Sequence, residues 1–277
     1  MISKGVKDNI VKYVMERHCL MGGFCFYRIE EPNGSDTYYA LSILKMLDIP
    51  FYDERTVAYL RSMQQEDGSY DSVFAAFYSL KSLLIMNQAP GHDPWPYIYN
   101  HILVNHVYAD KLPAEITSIF RKMTCLVDLY INFRTICDRT LNKILTQAIL
   151  PYQNRDFGFG YRKSTLGETA DALVMLKALA YPVKKLDTIQ FISRCEIPIY
   201  GFTDIPGAML AYLEYVYAGL LASKSIHYEP RYKNHCAEFV ANCQNINGGF
   251  SRTTHNGIAT LENTFYAVHA MKLLSII

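Results

Sequence analysis

Two basic side chains three residues apart, Arg252 and His255, follow the run Gly248-Gly249-Phe250-Ser251. A second pair, Arg162 and Lys163, follows Gly158-Phe159-Gly160-Tyr161, and Arg28 follows Gly23-Phe24-Cys25-Phe26-Tyr27. Arginine grips a phosphate through two parallel N–H bonds, and lysine or protonated histidine adds a point charge. Cations repeated at equivalent places around one opening would bind a diphosphate. The competing reading is a set of ordinary solvated loops that carry charge.

The carboxylates form a second pattern. Asp36, Asp71, Glu168, Glu214 and Glu262 all stand near the start of apolar segments. A carboxylate there caps free N–H groups and complements a helix N-terminus. It could also hold Mg²⁺ against a diphosphate, or act as a general acid if burial raises its pKa. Asp171 lies one helical turn beyond Glu168, among Ala172, Leu173 and Met175. Such a charge is costly unless paired. Asp171, Glu168 and Glu262 are therefore the candidate catalytic acids.

Aromatic residues form the third. The chain has 22 Tyr and 14 Phe against one Trp. Tyrosine joins a large apolar face to a polar tip, so many of these rings must find hydroxyl partners or line a cavity. Tyr38, Phe74, Tyr215 and Phe265 lie on apolar segments and are the candidate walls, because aromatic faces stabilise cations and pack against apolar chains. Core packing accounts for the others. The scattered histidines show no metal-ligand spacing, and no cysteine has a visible catalytic partner.

The elements that position these residues repeat. Gly23, Gly68, Gly158, Gly201 and Gly249 each precede an aromatic, at spacings of 45, 90, 43 and 48 residues. The 90 is two periods with one interruption missing near 110–116, where Pro113 restarts the chain. A period of this size marks an array of supersecondary units. Apolar helices such as "SDTYYALSILKML" and "TLENTFYAVHAMKLL" alternate with amphipathic ones such as "DERTVAYLRSMQQ" and "KLDTIQFISRCE". The first kind is expected inside and the second outside. This predicts an all-α fold, a closed α6–α6 toroid of about six helical hairpins, as a single domain over 1–277. The glycine-aromatic joints should lie on one rim.

Several of these segments resemble known families. "QEDGSY" resembles the Gln-x-x-Gly-x-aromatic repeat of squalene–hopene-type (class II) terpene cyclases, and "STLGETADALVML" resembles their inner helices. "GGFSRTTH…LENTFYAV" resembles the β subunits of protein prenyltransferases, and Arg252 with His255 resembles their diphosphate-binding loop. The resemblance implies the α/α toroid and an isoprenoid held in an aromatic central cavity. It also leaves room for a helical partner subunit. Prenyltransferases hold zinc with Asp-x-Cys and a later His. The corresponding residues here are Glu262-Asn263-Thr264, which does not support a zinc site. The Asp-x-Asp-Asp acid motif of the cyclases is absent as well.

Composition narrows the classes further. A net charge of +1 does not suggest nucleic acid or a polybasic membrane anchor. Seven dispersed cysteines fit a reducing compartment. No long apolar run suggests a transmembrane helix, and the expected location is cytoplasmic. The leading reading is an isoprenoid-diphosphate-binding enzyme like a prenyltransferase or terpene cyclase, with Mg²⁺ as the one cofactor a diphosphate would bring. The alternatives are a non-catalytic toroid that binds a lipid or protein, and a carbohydrate-active α6–α6 barrel.

Overall fold

The computed structural model describes residues 4–26, 31–108, 117–134, 138–254 and 257–277. Helix follows helix in two alternating kinds. The apolar kind comprises α2 (Gly34–Met46), α4 (Val73–Ile85), α6 (Thr117–Phe133), α8 (Leu166–Ala178), α10 (Leu213–Ile226) and α12 (Leu261–Leu273). The amphipathic kind comprises α1 (Lys4–Met15), α3 (Glu54–Ser62), α5 (Trp95–Tyr108), α7 (Arg139–Ile149), α9 (Ile189–Ile192) and α11 (Lys233–Asn242). Each apolar helix packs on the next apolar one, and α12 packs on α2. Among the described residues, no helix is long and apolar enough to cross a membrane.

The apolar helices start at defined points. Asn33, Ser72, Thr165 and Thr260 are extended N-cap residues whose side chains accept backbone N–H groups of the first turn. Counting from these caps puts equivalent residues in register. Tyr38, Phe77 and Phe265 are each the fifth residue beyond their cap, and their rings meet: Tyr38 to Phe77 at 5.2 Å and Tyr38 to Phe265 at 6.0 Å between centroids. Tyr217, fifth beyond the Tyr212 cap, lies 6.2 Å from Phe265. The apolar helices therefore run parallel and level, and the glycine-aromatic joints lie at their N-terminal ends.

A joint has two parts. Gly248 has φ of 89°, in the left-handed region that L side chains avoid, and its open side faces the Asn9 backbone of α1. Phe250 follows and is fully buried. Its N–H donates to the Thr264 hydroxyl at 3.1 Å, and that hydroxyl donates to the Thr260 carbonyl at 2.7 Å. The same clamp joins Phe24 to Thr37 and Phe159 to Thr169, both at 2.9 Å. In all three the threonine is the fourth residue beyond the cap. In the Phe159 joint the left-handed position is filled by Phe157, with φ of 69°.

Two segments depart from the sequence reading. "KLDTIQFISRCE" forms only the four-residue α9. Pro182 precedes a single 3₁₀ turn, Val183–Leu186, and Asp187 then turns left-handed with φ of 52°, so no long helix can propagate. The chain continues as a hairpin, β1 (Glu196–Ile197) antiparallel to β2 (Gly201–Phe202). The apolar run "GAMLAYLEYVYAGLLAS" predicts a helix from Gly207, but α10 begins at Leu213, because Tyr212 is extended at the cap. The missing interruption at 110–116 lies outside the described residues.

Candidate functional site

The faces that α2, α4, α6, α8, α10 and α12 turn toward one another carry partly accessible residues at helical spacing. Phe74, Phe77 and Lys81 line α4, Asp171 and Val174 line α8, Tyr217 and Leu221 line α10, and Phe265 and His269 line α12. The intervening residues are buried against the outer helices. Partial accessibility deep inside a helix array is what side chains facing internal space should show.

Asp171 is the central group of this face. It makes no hydrogen bond or ion pair with a described residue. Burial pushes its carboxyl pKa up to about 7, against the opposing pull of Arg121 and with a smaller push from Glu168. Cys125 of α6 and Tyr217 of α10 also feel its charge. Burial likewise pushes the Cys125 thiol up to about 12. The hydroxyls of Tyr38 and Tyr217 are held firmly neutral by burial.

Above this layer lies a polar cluster of which the sequence pattern indicated Glu262 but not its partner Arg121. Arg121 of α6 donates to Tyr78 Oη at 2.8 Å, Tyr39 Oη at 3.1 Å and Glu262 Oε1 at 3.4 Å. Glu262 Oε1 also accepts from Tyr39 at 2.8 Å and Tyr266 at 2.9 Å. Four helices, α2, α4, α6 and α12, thus meet at one guanidinium. Arg121 stays charged because nearby Glu262 and the tyrosine oxygens outweigh the cost of its desolvation. It had no motif around it, and its helix lies in the stretch where the repeat loses its period.

The rim cations are compensated by carboxylates. Arg252 pairs with Glu214, its Nε donating to Oε1 at 2.5 Å, and its guanidinium lies 3.9 Å above the Tyr212 ring. Lys163 lies near Glu168 and Asp204 and opposes the upward push of burial on both carboxyls. Glu214 of α10 repels the Asp204 carboxylate and adds to that upward push. Arg162 is exposed, with its guanidinium 5.6 Å from its neighbour's ring at Tyr161. Arg28 and His255 lie outside the described residues. Glu168 partly serves its helix: its backbone N–H donates to the Thr165 cap at 3.1 Å, and Oε2 accepts from the same hydroxyl. Asp36 is pushed up to about 6 by burial.

The four candidate wall residues separate. Tyr38 and Phe265 share one layer. Phe74 packs beside Phe77 against Val73, Cys125 and Leu126. Tyr215 sits at the rim instead, 5.3 Å from Tyr212, and Tyr217 takes the inward position. The single tryptophan, Trp95, packs on Tyr99 and Tyr130 from outer helix α5, away from this face.

The Thr264 hydroxyl is committed to the joint clamp and Glu262 to Arg121 and two tyrosines. Among the described residues no three His, Cys, Asp or Glu side chains are grouped to hold a metal.

Alternating inner and outer helices, with an aromatic and acid-bearing inner face, define an α/α repeat protein. The chain belongs to the prenyltransferase alpha-alpha toroid domain family, whose model matches residues 1–92 and 102–276. It is similar in fold to Candida albicans protein geranylgeranyltransferase-I complexed with GGPP. There the TM-score is 0.68 at 18% identity, over 96% of this chain and 90% of that one. It is also similar to a protein from Actinoplanes, with a TM-score of 0.60 at 13% identity over 98% and 99% of the two chains. The type II terpene cyclase MstE from Scytonema, in complex with its product merosterolic acid A, gives a TM-score of 0.56 at 11% identity over 98% and 95%. No curated protein sequence matches the chain significantly.

Proposed function

We propose that this chain is an isoprenoid-diphosphate-binding enzyme, cyclase-like in its chemistry, which holds its substrate inside a closed α6–α6 barrel. The observation that carries this reading is Asp171, an enclosed and unpaired acid with a pKa near 7 beside the rings of the inner face. Closure is supported by the packing of α12 on α2 and by the reach of Arg121 from α6 to Glu262 on α12. The whole chain, 1–277, acts as one domain.

The substrate lies with its tail inward and its diphosphate at the rim. Arg252, Lys163 and Arg162 meet the head. The Mg²⁺ that such a head carries would take most of its oxygens from the diphosphate and water, with Glu168 the rim carboxylate offered to it. Protonated Asp171 gives its proton to one carbon of a substrate double bond. The π pair forms the new C–H bond, and a tertiary carbocation is left on the other carbon. The faces of Tyr38, Tyr217 and Phe265 stabilise that cation. Loss of a proton from the cation to the Asp171 carboxylate restores the acid.

Zinc has no part in this chemistry, because no thiolate stands beside Glu262 and the Thr264 hydroxyl is already used. Elemental analysis should find well under about 0.1 zinc per chain after dialysis, and about one retained zinc would overturn this. The buried free thiols support a cytoplasmic location. A helical partner subunit could dock at the rim, as an added element of the same reading.

Calorimetric titration tests the binding mode. Arg252→Gln should weaken a prenyl diphosphate about tenfold or more and change the matching alcohol by less than about twofold, since only the diphosphate uses the cation. Equal losses for both would mean that the substitution disturbed the rim. If the wild type bound neither ligand, the enzyme reading would fall and a scaffold would replace it.

A further inference from the structure

The inner face is not apolar to its far end. The ninth residue beyond each cap defines a layer below the tyrosines: Ser42 on α2, Lys81 on α4, Val174 on α8, Leu221 on α10 and His269 on α12. Asp128 of α6 joins it through an ion pair, its Oδ2 2.8 Å from Lys81 Nζ. The Lys81 side chain keeps only 19% of its surface accessible. Asn132 also donates to Asp128 at 3.2 Å. His269 packs between the rings of Phe265 and Tyr217. Its Nδ1 is buried without a hydrogen-bond partner, and burial holds the imidazole neutral. Four of six positions in this layer are polar, and one has an unused ring nitrogen.

A hydrocarbon tail is a poor occupant here. It would strip water from Lys81 and Asp128 and return no hydrogen bond. At 1.5 Å rise per residue, this layer lies about 10 Å beyond the Arg121–Glu262 level. A short isoprenoid anchored at the rim would bring its last carbons to it.

Resting on the isoprenoid reading above, we infer that the far end of the cavity is a second recognition site. It takes an oxygen-bearing terpenoid tail, with a terminal hydroxyl or carbonyl bonded to Lys81 and Asp128. The oxygen accepts from Lys81, and a hydroxyl donates to Asp128, while His269, whose Nδ1 is sealed from solvent, walls the layer beside them. A site built this way rejects an analogue that lacks the oxygen far more strongly than a hydrocarbon wall rejects an added one.

The experiment compares geranyl diphosphate with its terminally hydroxylated analogue by calorimetry. The wild type should bind the hydroxylated ligand at least about tenfold more tightly. Lys81→Met with Asp128→Leu should abolish or reverse that preference while retaining geranyl diphosphate binding. Replacing a buried ion pair by apolar residues of similar size usually preserves folding, and circular dichroism checks it. Asp128→Asn gives an independent variant, in which the preference should fall about threefold or more. If the wild type shows no preference, or if all variants keep it, the second site is refuted while the isoprenoid reading stands. If neither ligand binds the wild type, the isoprenoid reading fails and takes this inference with it.

Discussion

Gly248→Ala is expected to destabilise the protein by about 3 kcal/mol or more, the sum of backbone strain and overpacking. Two separate costs act at this position. Its φ of 89° lies where an L side chain is strained. A Cβ there would also overlap the Asn9 carbonyl, which is helix backbone and cannot rotate away. Gly207 separates the two costs. It shares the left-handed conformation, with φ of 79°, but a Cβ there meets nothing within 4 Å. Gly207→Ala should therefore cost about 1 kcal/mol, the strain alone. Urea unfolding of both variants measures the difference. Similar losses would mean that contact between the last joint and α1 adds nothing, and that this joint does not help tie the chain's two ends together.

The joints were legible in the sequence because their physics is local. A left-handed turn needs glycine or pays strain, so the glycines recur wherever the turn does. Phe157 shows the limit of this signal. It takes the left-handed position at a joint whose glycine, Gly158, is needed for close approach to Phe191. The threonine clamp was present three times in the sequence, at Thr37, Thr169 and Thr264. It was invisible because its partner is a backbone N–H, which no residue type advertises. The burial of Asp171 was legible for a different reason: a carboxylate among apolar helix residues conflicts with its surroundings, and its raised pKa records that conflict.

Arg121 shows why the rest was not. Its partners Tyr39, Tyr78 and Glu262 come from three other helices, up to 141 residues away in sequence. Only the assembled array brings them together. The rim was also misjudged in balance rather than in place. Arg252 was read as a free cation, but Glu214 of the preceding repeat has folded onto it. The hidden parameter was the pairing between neighbouring repeats, which spacing within one repeat cannot reveal. The fifth outer helix was overread because "KLDTIQFISRCE" keeps a helical pattern. Pro182 and the left-handed Asp187 confine it to short turns.

Asp171→Asn should make the protein more stable above neutral pH while abolishing product formation. The native carboxyl holds its proton to about pH 7, whereas the unfolded chain releases it near 3.8. Between those values the native state binds more protons than the unfolded state, so this group's contribution to stability falls as pH rises. The stabilisation is complete below the unfolded pKa and is lost as pH passes through the native one. Three pKa units correspond to a total on the order of 4 kcal/mol. Asparagine does not ionise, so the variant should gain on the wild type by that order between about pH 4 and about pH 8. Asp36 and Asp204 also have raised pKa values, but they titrate in both proteins and cancel from the difference, while Glu168 adds its smaller coupling to Asp171. The groups facing Asp171 are Arg121 and Cys125 from α6, Glu168 from its own helix and Tyr217 from α10. Of these only Arg121 is cationic, and it is already bonded to Glu262 and two tyrosines. The variant should still bind a prenyl diphosphate, because the head is held at the rim. A stability gap that does not change with pH would mean that Asp171 is ionised in the folded protein, and a general-acid role would then be lost. A variant with the expected gap that still turned over substrate would locate the acid elsewhere, with Glu168 the next carboxyl along the same helix.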